Sequence, residues 1–336
     1  MPLIEFAPGS YTIKIISADA SISSYNFRMV DLENAIPASV NTPVQGKLDH
    51  GAEADVYVYN LQADDTFFID RFDEGSGLRY SLINEFGQAV ISNVNNNTFR
   101  RYTVPLAGQY VLLVENANVT DEPESYAFTT YTKAVSNVPL VLDATTAGTI
   151  ANPGDEDVYT FELTDTSLVS MDSFSALSDL NWTLRSATGT VFDSRRFSAT
   201  DGPSSAPSYF ALEAGTYTLT IGSDDRFSGD YSFALRNATA NTVSLLFDQQ
   251  ISGTLGQSGR ETRIFKITAA DRERFEVVNT TSPSRALWRI IGPGNEQLAT
   301  YNQNGITGYV TLQKAGTYFI VLEGSISSTS EQDFSF

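Results

Sequence analysis

Residues 214–221 read AGTYTLTI, a glycine turn that leads into a strand in which apolar side chains alternate with threonines. Tyr217, Leu219 and Ile221 fall on one face of this strand, and alternation with a period of two is typical of a strand that buries one face. Gly215 lies just before the strand, where a turn favours the conformational freedom of glycine. The stretch therefore predicts a half-buried β-strand that begins at a turn.

The same small-Gly-x-Tyr pattern occurs four times. Its glycines are Gly9, Gly108, Gly215 and Gly316, so that successive copies are 99, 107 and 101 residues apart. An aromatic-x-Phe pair follows each glycine after 16 or 18 residues, at Tyr25/Phe27, Tyr126/Phe128, Tyr231/Phe233 and Phe334/Phe336. A fixed spacing of this kind is the signature of tandem modules.

Three further patterns recur in the same order within each copy. They are a Gly-x-Leu/Ile turn, a strand with alternating aromatic residues, and a strand that carries Tyr80, Trp182 or Trp288 and runs into a glycine turn. Short strands separated by glycine turns favour an antiparallel sandwich. The sequence predicts an all-β chain of tandem antiparallel β-sandwich modules, jelly-roll-like, over residues 36–137, 138–242 and 243–336. Single helical turns are expected only near 61–68 and 269–275.

Residues 1–35 match only the last two strands of a module. We therefore expect them to be a partial module and the chain to be a piece of a longer polypeptide. A lone pair of strands is marginally stable in water. The partial module should then pack on the next module or be completed by strands from elsewhere.

The composition excludes several classes of function. With 40 acidic and 21 basic residues the chain carries a net charge of −19, which repels nucleic-acid phosphates. There is no cysteine, which excludes disulfides, thiolate zinc sites and Cys-His catalysis. The single histidine, His50, precedes Gly51 in a predicted turn, which favours a surface residue over the general base of a Ser-His pair. Because no apolar run approaches the ~20 residues of a membrane span, we predict a non-catalytic chain without one.

The repeat resembles the bacterial pre-peptidase C-terminal domain. The segment 154–161, GDEDVYTF, fits that family's Gly-x-x-Asp-x-Tyr-x-Phe pattern, and 214–217 and 229–233 fit its Ala-Gly-x-Tyr and Gly-x-Tyr patterns. The resemblance implies a jelly-roll-like sandwich on a secreted protein, used either beside a protease to bind substrate or in arrays on surface proteins. It also implies calcium near the Gly-x-x-Asp-x-Tyr loop in some members.

Calcium is therefore the one cofactor that we consider. Asp155 and Asp157, with Asn152, are the candidate ligands in the second module, and Glu53 and Asp55 are those in the first. Ca²⁺ needs six to eight oxygen ligands, which carboxylates and backbone carbonyls supply. In the third module Arg263 replaces the key aspartate, which argues against a site there. The alternative is that these acids are solvated turn residues.

Two functions remain open at this point. The first is a structural or adhesive array, a stalk or filament segment of a secreted or cell-surface bacterial protein whose partners are neighbouring modules of the same or another chain. The alternative is an accessory module of a secreted hydrolase that binds a glycan or a protein. Trp182 and Trp288 would stack on sugars in the second case, but their equivalent positions favour a shared place in the core.

Overall fold

The computed structural model describes residues 6–16, 25, 27, 29, 31, 34–49, 53–71, 77–95, 101–116, 122–200, 209–223, 227–240, 242–302, 305–306 and 308–336. The chain divides into two compact units, Met1–Lys133 and Ala134–Phe336. The described residues are nearly all strands and turns, so the all-β prediction is confirmed. None of their helices is long and apolar enough to cross a membrane.

In the described part of the first unit, one module spans 34–133 and contains the strands β1 (Ile36–Pro37), β2 (Pro43–Leu48), β3 (Ala54–Leu61), β4 (Thr66–Arg71), β5 (Leu78–Ile83), β6 (Ala89–Val94), β7 (Arg101–Thr103), β8 (Gly108–Asn116) and β9 (Glu124–Thr132). They form a five-stranded sheet, β1-β3-β8-β5-β6, and a four-stranded sheet, β2-β9-β4-β7. β1 runs parallel to β3, whereas the other pairs are antiparallel.

The second module, residues 134–242, repeats this arrangement with β10 (Val135–Pro139), β11 (Thr145–Ile150), β12 (Glu156–Leu163), β13 (Ser167–Ser173), β14 (Asn181–Ser186), β15 (Gly189–Arg196), β16 (Tyr209–Leu212), β17 (Gly215–Gly222) and β18 (Gly229–Asn237). Its sheets are β10-β12-β17-β14-β15 and β11-β18-β13-β16. β10 pairs along its whole length with β12, so this module begins a few residues before position 138.

The third module, residues 243–336, contains β19 (Val243–Ser244), β20 (Ser252–Leu255), β21 (Arg263–Ala269), β22 (Arg274–Glu276), β23 (Leu287–Ile291), β24 (Gln297–Tyr301), β25 (Tyr309–Thr311), β26 (Gly316–Glu323) and β27 (Gln332–Ser335). Its five-stranded sheet is β19-β21-β26-β23-β24. The opposite layer consists of two separate pairs, β20-β27 and β22-β25.

Each module has a hydrophobic core of its own between its two layers. Tyr80, Trp182 and Trp288 occupy equivalent places in these three cores and are 3%, 1% and 0% exposed. Side chains buried to this degree contribute to packing and cannot stack on a sugar. The core interpretation of the two tryptophans is therefore confirmed.

The tyrosine of every small-Gly-x-Tyr pattern forms the same hydrogen bond. Its hydroxyl donates to the backbone carbonyl four residues earlier, in the pairs Tyr11–Ala7 (2.6 Å), Tyr110–Leu106 (3.1 Å), Tyr217–Glu213 (2.9 Å) and Tyr318–Lys314 (2.7 Å). This is a tyrosine corner, a device that closes the turn at the start of a strand. Gly215 and Gly316 adopt φ of +152° and +154° there, a region that favours glycine.

The helical turns expected near 61–68 and 269–275 are wrong. Both stretches are tight turns between two strands, and the chain reverses through left-handed residues, Asp64 (φ 68°) and Arg272 (φ 58°), which a right-handed helix does not tolerate. The described helical segments include a 3₁₀ turn at Phe197–Ala199 and the short Gly256–Gly259 turn.

Candidate functional site

The first acidic position of the predicted calcium loop closes that loop through hydrogen bonds. Asp155 Oδ1 accepts from the backbone N–H of Ala134 (2.9 Å), and its Oδ2 accepts from the N–H and the Nδ2 of Asn152 (3.0 and 3.2 Å). Glu53 accepts from the N–H of Asp49 (2.6 Å) in the first module. In the third module Glu261 accepts from Gly256 in the same way (3.0 Å).

The second acidic position is bonded to a buried tyrosine. Tyr231 donates its hydroxyl to Asp157 Oδ2, and its oxygen lies 2.8 Å from the hydroxyl of Tyr159. Burial raises the pKa of Tyr231 well above 10, and the hydrogen bond to Asp157 raises it further. In the first module Tyr126, Asp55 and Tyr57 form the same triad.

The third module lacks all three polar groups of this triad. Phe334, Phe265 and Arg263 occupy the positions of Tyr231, Tyr159 and Asp157. Because no buried hydroxyl needs a hydrogen-bond acceptor in the third module, the aspartate is not required there and Arg263 can take its position. The change from aspartate to arginine therefore accompanies the loss of two tyrosine hydroxyls.

The glycine of the Gly-x-Leu/Ile pattern makes room for this aromatic ring. A Cβ on Gly148 would lie 2.4 Å from the Cζ and hydroxyl oxygen of Tyr231, and on Gly253 it would lie 2.7 Å from the Cζ of Phe334. Gly148 lies within β11, paired with Tyr231 of β18. Sequence reasoning assigned these glycines to turns, but here the requirement is close approach inside a strand pair.

The calcium sites stay a prediction. Within the part of the chain that the structure describes, no three His, Cys, Asp or Glu side chains converge as a metal cluster would require. Asn152 and Asp155 lie in the loop before β12 and Glu53 in the loop before β3, whereas Asp157 and Asp55 are the second residues of these strands. All five take part in the hydrogen bonds given above. His50 lies outside the described residues.

The most extensive site in the second unit is the contact between its two modules, which we call the junction. Its apolar part joins Leu168 and Ala238 of the second module to Ile291, Phe319 and Val321 of the third, all at most 6% exposed. The second module contributes the outer face of its four-stranded sheet, and the third contributes the outer face of its five-stranded sheet. The two modules therefore share a third apolar layer outside their own cores.

A buried carboxylate crosses the junction. Asp172, which is fully buried, accepts hydrogen bonds from the Nε and Nη2 of Arg236 (3.1 and 3.0 Å) and from the backbone N–H of Thr262 in the third module (3.1 Å). Arg236 also pairs with Glu261 of the third module (3.2 Å). Burial raises the pKa of Asp172 to about 6, and the charge of Arg236 opposes this rise.

A second buried ion pair lies on the other side of the apolar layer. Arg289 and Glu323 of the third module are 4% and 2% exposed and meet at 2.8 Å. Tyr209 of the second module donates its hydroxyl to the same glutamate. Arg260 adds a further bond across the junction, from its Nη1 to the carbonyl of Phe174 (2.6 Å). Breaking such desolvated pairs is unfavourable because it leaves an uncompensated charge.

The linker between the two modules is held by its own hydrogen bonds. The Oδ1 of Asn237 accepts from the N–H groups of Thr239 and Ala240 (both 3.1 Å). Leu168 donates its N–H to the Thr239 hydroxyl (2.8 Å), and Ala238 donates its N–H to the Leu168 carbonyl (2.9 Å). This connection is an ordered extension of β18 that fixes where the third module begins.

A cleft of about 410 Å³ opens beside the junction. Both modules line it, with Arg236 and Asn237 on one side and Ser252, Thr262 and Arg263 on the other. Its walls offer hydrogen-bond donors of both modules, and the Arg263 side chain is 48% exposed. Sequence reasoning missed the junction and this cleft, although Asp172, an aspartate within the otherwise uncharged stretch 167–174, was a signal for a buried polar contact.

Comparison with known proteins gives structural likeness only. No family model matches the chain, and no curated protein matches it. Among solved structures, the pre-peptidase C-terminal domain of a collagenase from Bacillus anthracis is similar over 31% of this chain and 96% of that one, with 17% identity and a TM-score of 0.23. The CUB1-EGF-CUB2 segment of human MASP-1/3 is similar over 58% of this chain and 100% of that one, with 8% identity and a TM-score of 0.19.

Proposed function

We propose that the chain is a non-catalytic structural or adhesive array, a stalk or filament segment of a secreted or cell-surface bacterial protein. The junction is the observation that supports this proposal. Its apolar layer, its two buried ion pairs and its hydrogen-bonded linker hold two modules in one orientation. A segment whose modules do not swivel keeps the parts that it connects at a fixed distance.

The composition fits a chain that works outside the cell. An array without cysteines does not depend on disulfides for stability and cannot form incorrect ones. A net charge of −19 keeps a long string of modules soluble. Each module has its own hydrophobic core, so an array can be lengthened by repeating the same fold. Localisation and assembly remain part of the proposal.

The stiffness of the junction can be measured by pulsed electron spin resonance. Since the chain has no cysteine, Val191→Cys and Leu298→Cys place one spin label on an exposed strand position of each module. A rigid junction predicts a single narrow distance distribution. Adding Phe319→Lys, which puts a charge into the apolar layer, should broaden it. A broad distribution in the chain without Phe319→Lys would refute a stiff segment.

The second candidate function is an accessory module that binds a glycan or a protein for a secreted hydrolase. The cleft beside the junction favours it, because the half-exposed Arg263 provides donors for sugar hydroxyls or for acidic groups. A screen against glycans and collagen-type peptides tests this idea, with Arg263→Ala as the matched variant. Binding that Arg263→Ala abolishes supports the accessory function, and no binding to any ligand rejects it.

A further inference from the structure

The chain enters the second module at one end and leaves it at the other. β10 runs parallel to β12. In the turn after β10, the N–H of Leu140 donates to the carbonyl of Thr160 near the end of β12 (2.8 Å), and the N–H of Asp143 donates to that of Leu235 near the end of β18 (2.9 Å). β12 and β18 therefore end on the same side of the module. The first strand, β10, and the last strand, β18, point in the same direction.

The first module has the same geometry. β1 runs parallel to β3, and the N–H of Ala38 donates to the carbonyl of Val58 in β3 (2.9 Å). The N–H of Asn41, in the turn that follows, donates to the carbonyl of Thr130 in β9 (2.7 Å). In both modules, tension on the two chain ends acts along the axes of the first and last strands.

The last strand of the second module is paired over its whole length. Gly229–Ala234 pairs with β11, and Phe233–Asn237 pairs with β13. Each of the nine residues of β18 therefore has a partner on at least one side. A force on the chain beyond Asn237 acts along the strand, so it strains these pairs together rather than one after another.

The first strand of the second module is paired with β12 over five residues. The carbonyl of Ala134 accepts from the N–H of Glu156 (2.9 Å), and backbone groups that face a parallel neighbour recur at every second residue. The N–H of Ser136 therefore faces β12, and that of Asn137 faces away from it. Pro139, which has no N–H, also holds an outward position. A force on the chain before Ala134 acts along β10 and strains its pairs together.

The loop residue Asp155 fastens the entering end of β10. Its carboxylate is 7% exposed, and Oδ1 accepts from the N–H of Ala134 (2.9 Å). The same carboxylate is held by the N–H and the side-chain amide of Asn152 (3.0 and 3.2 Å). The residue before β10 is thus anchored to a loop that is itself fixed at the start of β12.

We propose that the second module is built to carry tension, with β10 and β18 as a mechanical clamp that is loaded in shear and with Asp155 as the fastening of its entering end. Many strand pairs must break in one step under such a load. This raises the barrier to unfolding, and the unfolding rate governs resistance to force. The inference rests on the proposed array function and adds how a stalk or filament segment withstands pulling.

The test is optical trapping of the full chain through DNA handles on two engineered cysteines, which are unique because the chain has none. The pair Ala134→Cys and Ala240→Cys pulls β10 and β18 along their axes. The pair Ala144→Cys and Ala240→Cys shares one handle but separates the start of β11 from the end of β18, so it peels this strand pair open from one end. All three alanines are exposed. Both pairs are pulled at the same loading rate.

The clamp predicts that the second module unfolds at a several-fold higher force through the first handle pair than through the second. Peeling breaks the pairs of β18 in succession, whereas shear breaks them together. Equal forces in the two directions refute the clamp. This comparison needs no change in either strand, so it decides the proposal even if a strand variant fails to fold.

Matched proline variants test the entering strand. Ser136→Pro removes an N–H that faces β12 and should lower the force along β10 and β18. Asn137→Pro removes an N–H that faces away, on an equally exposed neighbour, and should leave this force unchanged. Asp155→Ala should lower it as well. If Ser136→Pro and Asn137→Pro unfold at the same force, β10 is not part of the clamp and the proposal fails.

The spin-label distance across the junction is measured without load. A broad distance distribution overturns the proposed stiff array, whereas equal unfolding forces in the two pulling directions overturn the clamp alone. The two failures are therefore distinguishable.

Discussion

Tyr231→Phe removes a hydroxyl that is shared by two neighbours in the second module. The hydroxyl donates to Asp157 and lies 2.8 Å from that of Tyr159, so its loss leaves a carboxylate and a buried phenol each without a partner. A hydrogen bond to a charged group contributes about 1.5–3 kcal/mol, and a neutral one about 1 kcal/mol. We therefore expect Tyr231→Phe to lower the free energy of unfolding by about 2–3 kcal/mol.

Replacing the whole triad should restore most of this loss. The third module carries Phe265, Phe334 and Arg263 at these positions, so Tyr159→Phe, Tyr231→Phe and Asp157→Arg together recreate a combination that the same fold accepts. Replacing both partners of a buried hydrogen bond by apolar groups can be nearly neutral. The triple variant should lie within about 1 kcal/mol of the parent chain, although the sum of its single changes is larger.

The assay is urea unfolding followed by tryptophan fluorescence. Each of the second and third modules has one tryptophan, so a Trp288→Phe background leaves Trp182 as the reporter of the second core. The single, double and triple variants form a mutant cycle, and coupling between groups in contact should reach 1–3 kcal/mol on the usual scale of about 0.5–3 kcal/mol. Additive losses, with the triple variant the least stable, would show that the triad is not a unit.

Further predictions concern the interior glycine, the buried carboxylate and calcium. Gly148→Ala should destabilise the second module by about 1–3 kcal/mol, as overpacking does. The control Gly294→Ala in the third module meets only the flexible Glu296 side chain and should be nearly silent when Trp288 is the reporter of urea unfolding. Because the pKa of Asp172 is raised to about 6 in the folded state, the folded form binds this proton more tightly, and stability should fall by about 2 kcal/mol as pH rises from 4 to 7. Asp172→Asn should remove this part of the pH profile, and an unchanged slope would contradict the assignment. Calcium at Asp155 and Asp157 predicts a melting temperature that rises with Ca²⁺ and falls with chelator; equal melts would end the calcium prediction.

The sequence predicts those features of the fold that repeat. Every small-Gly-x-Tyr pattern is a tyrosine corner, and the strand that carries Trp182 or Trp288 packs in the core because alternation shows which side of a strand faces inward. The role of Gly148 could not be predicted, because it depends on the ring of Tyr231, which lies 83 residues later and pairs with it only in the folded sheet.

The candidate site was less predictable, because its residues differ between modules. Asp172, Arg236 and Thr262 form one cluster from two modules, and no local pattern links them. Outward positions of a strand follow no general rule, since either water or a neighbouring module can cover them. Only the register of the strands shows that Arg185 holds the same position as Ile83 and Ile291.

The inner and outer faces of the sheets are under different constraints. Inner faces repeat because every module must fill the same sandwich, so Tyr217 and Tyr318 are interchangeable. Outer faces are free of that constraint, so the face around Val111 can be apolar while the equivalent face of the second module carries threonines. The outer faces thus differ between modules: one register position holds Val111 in the first module, Thr218 in the second and Phe319 in the third.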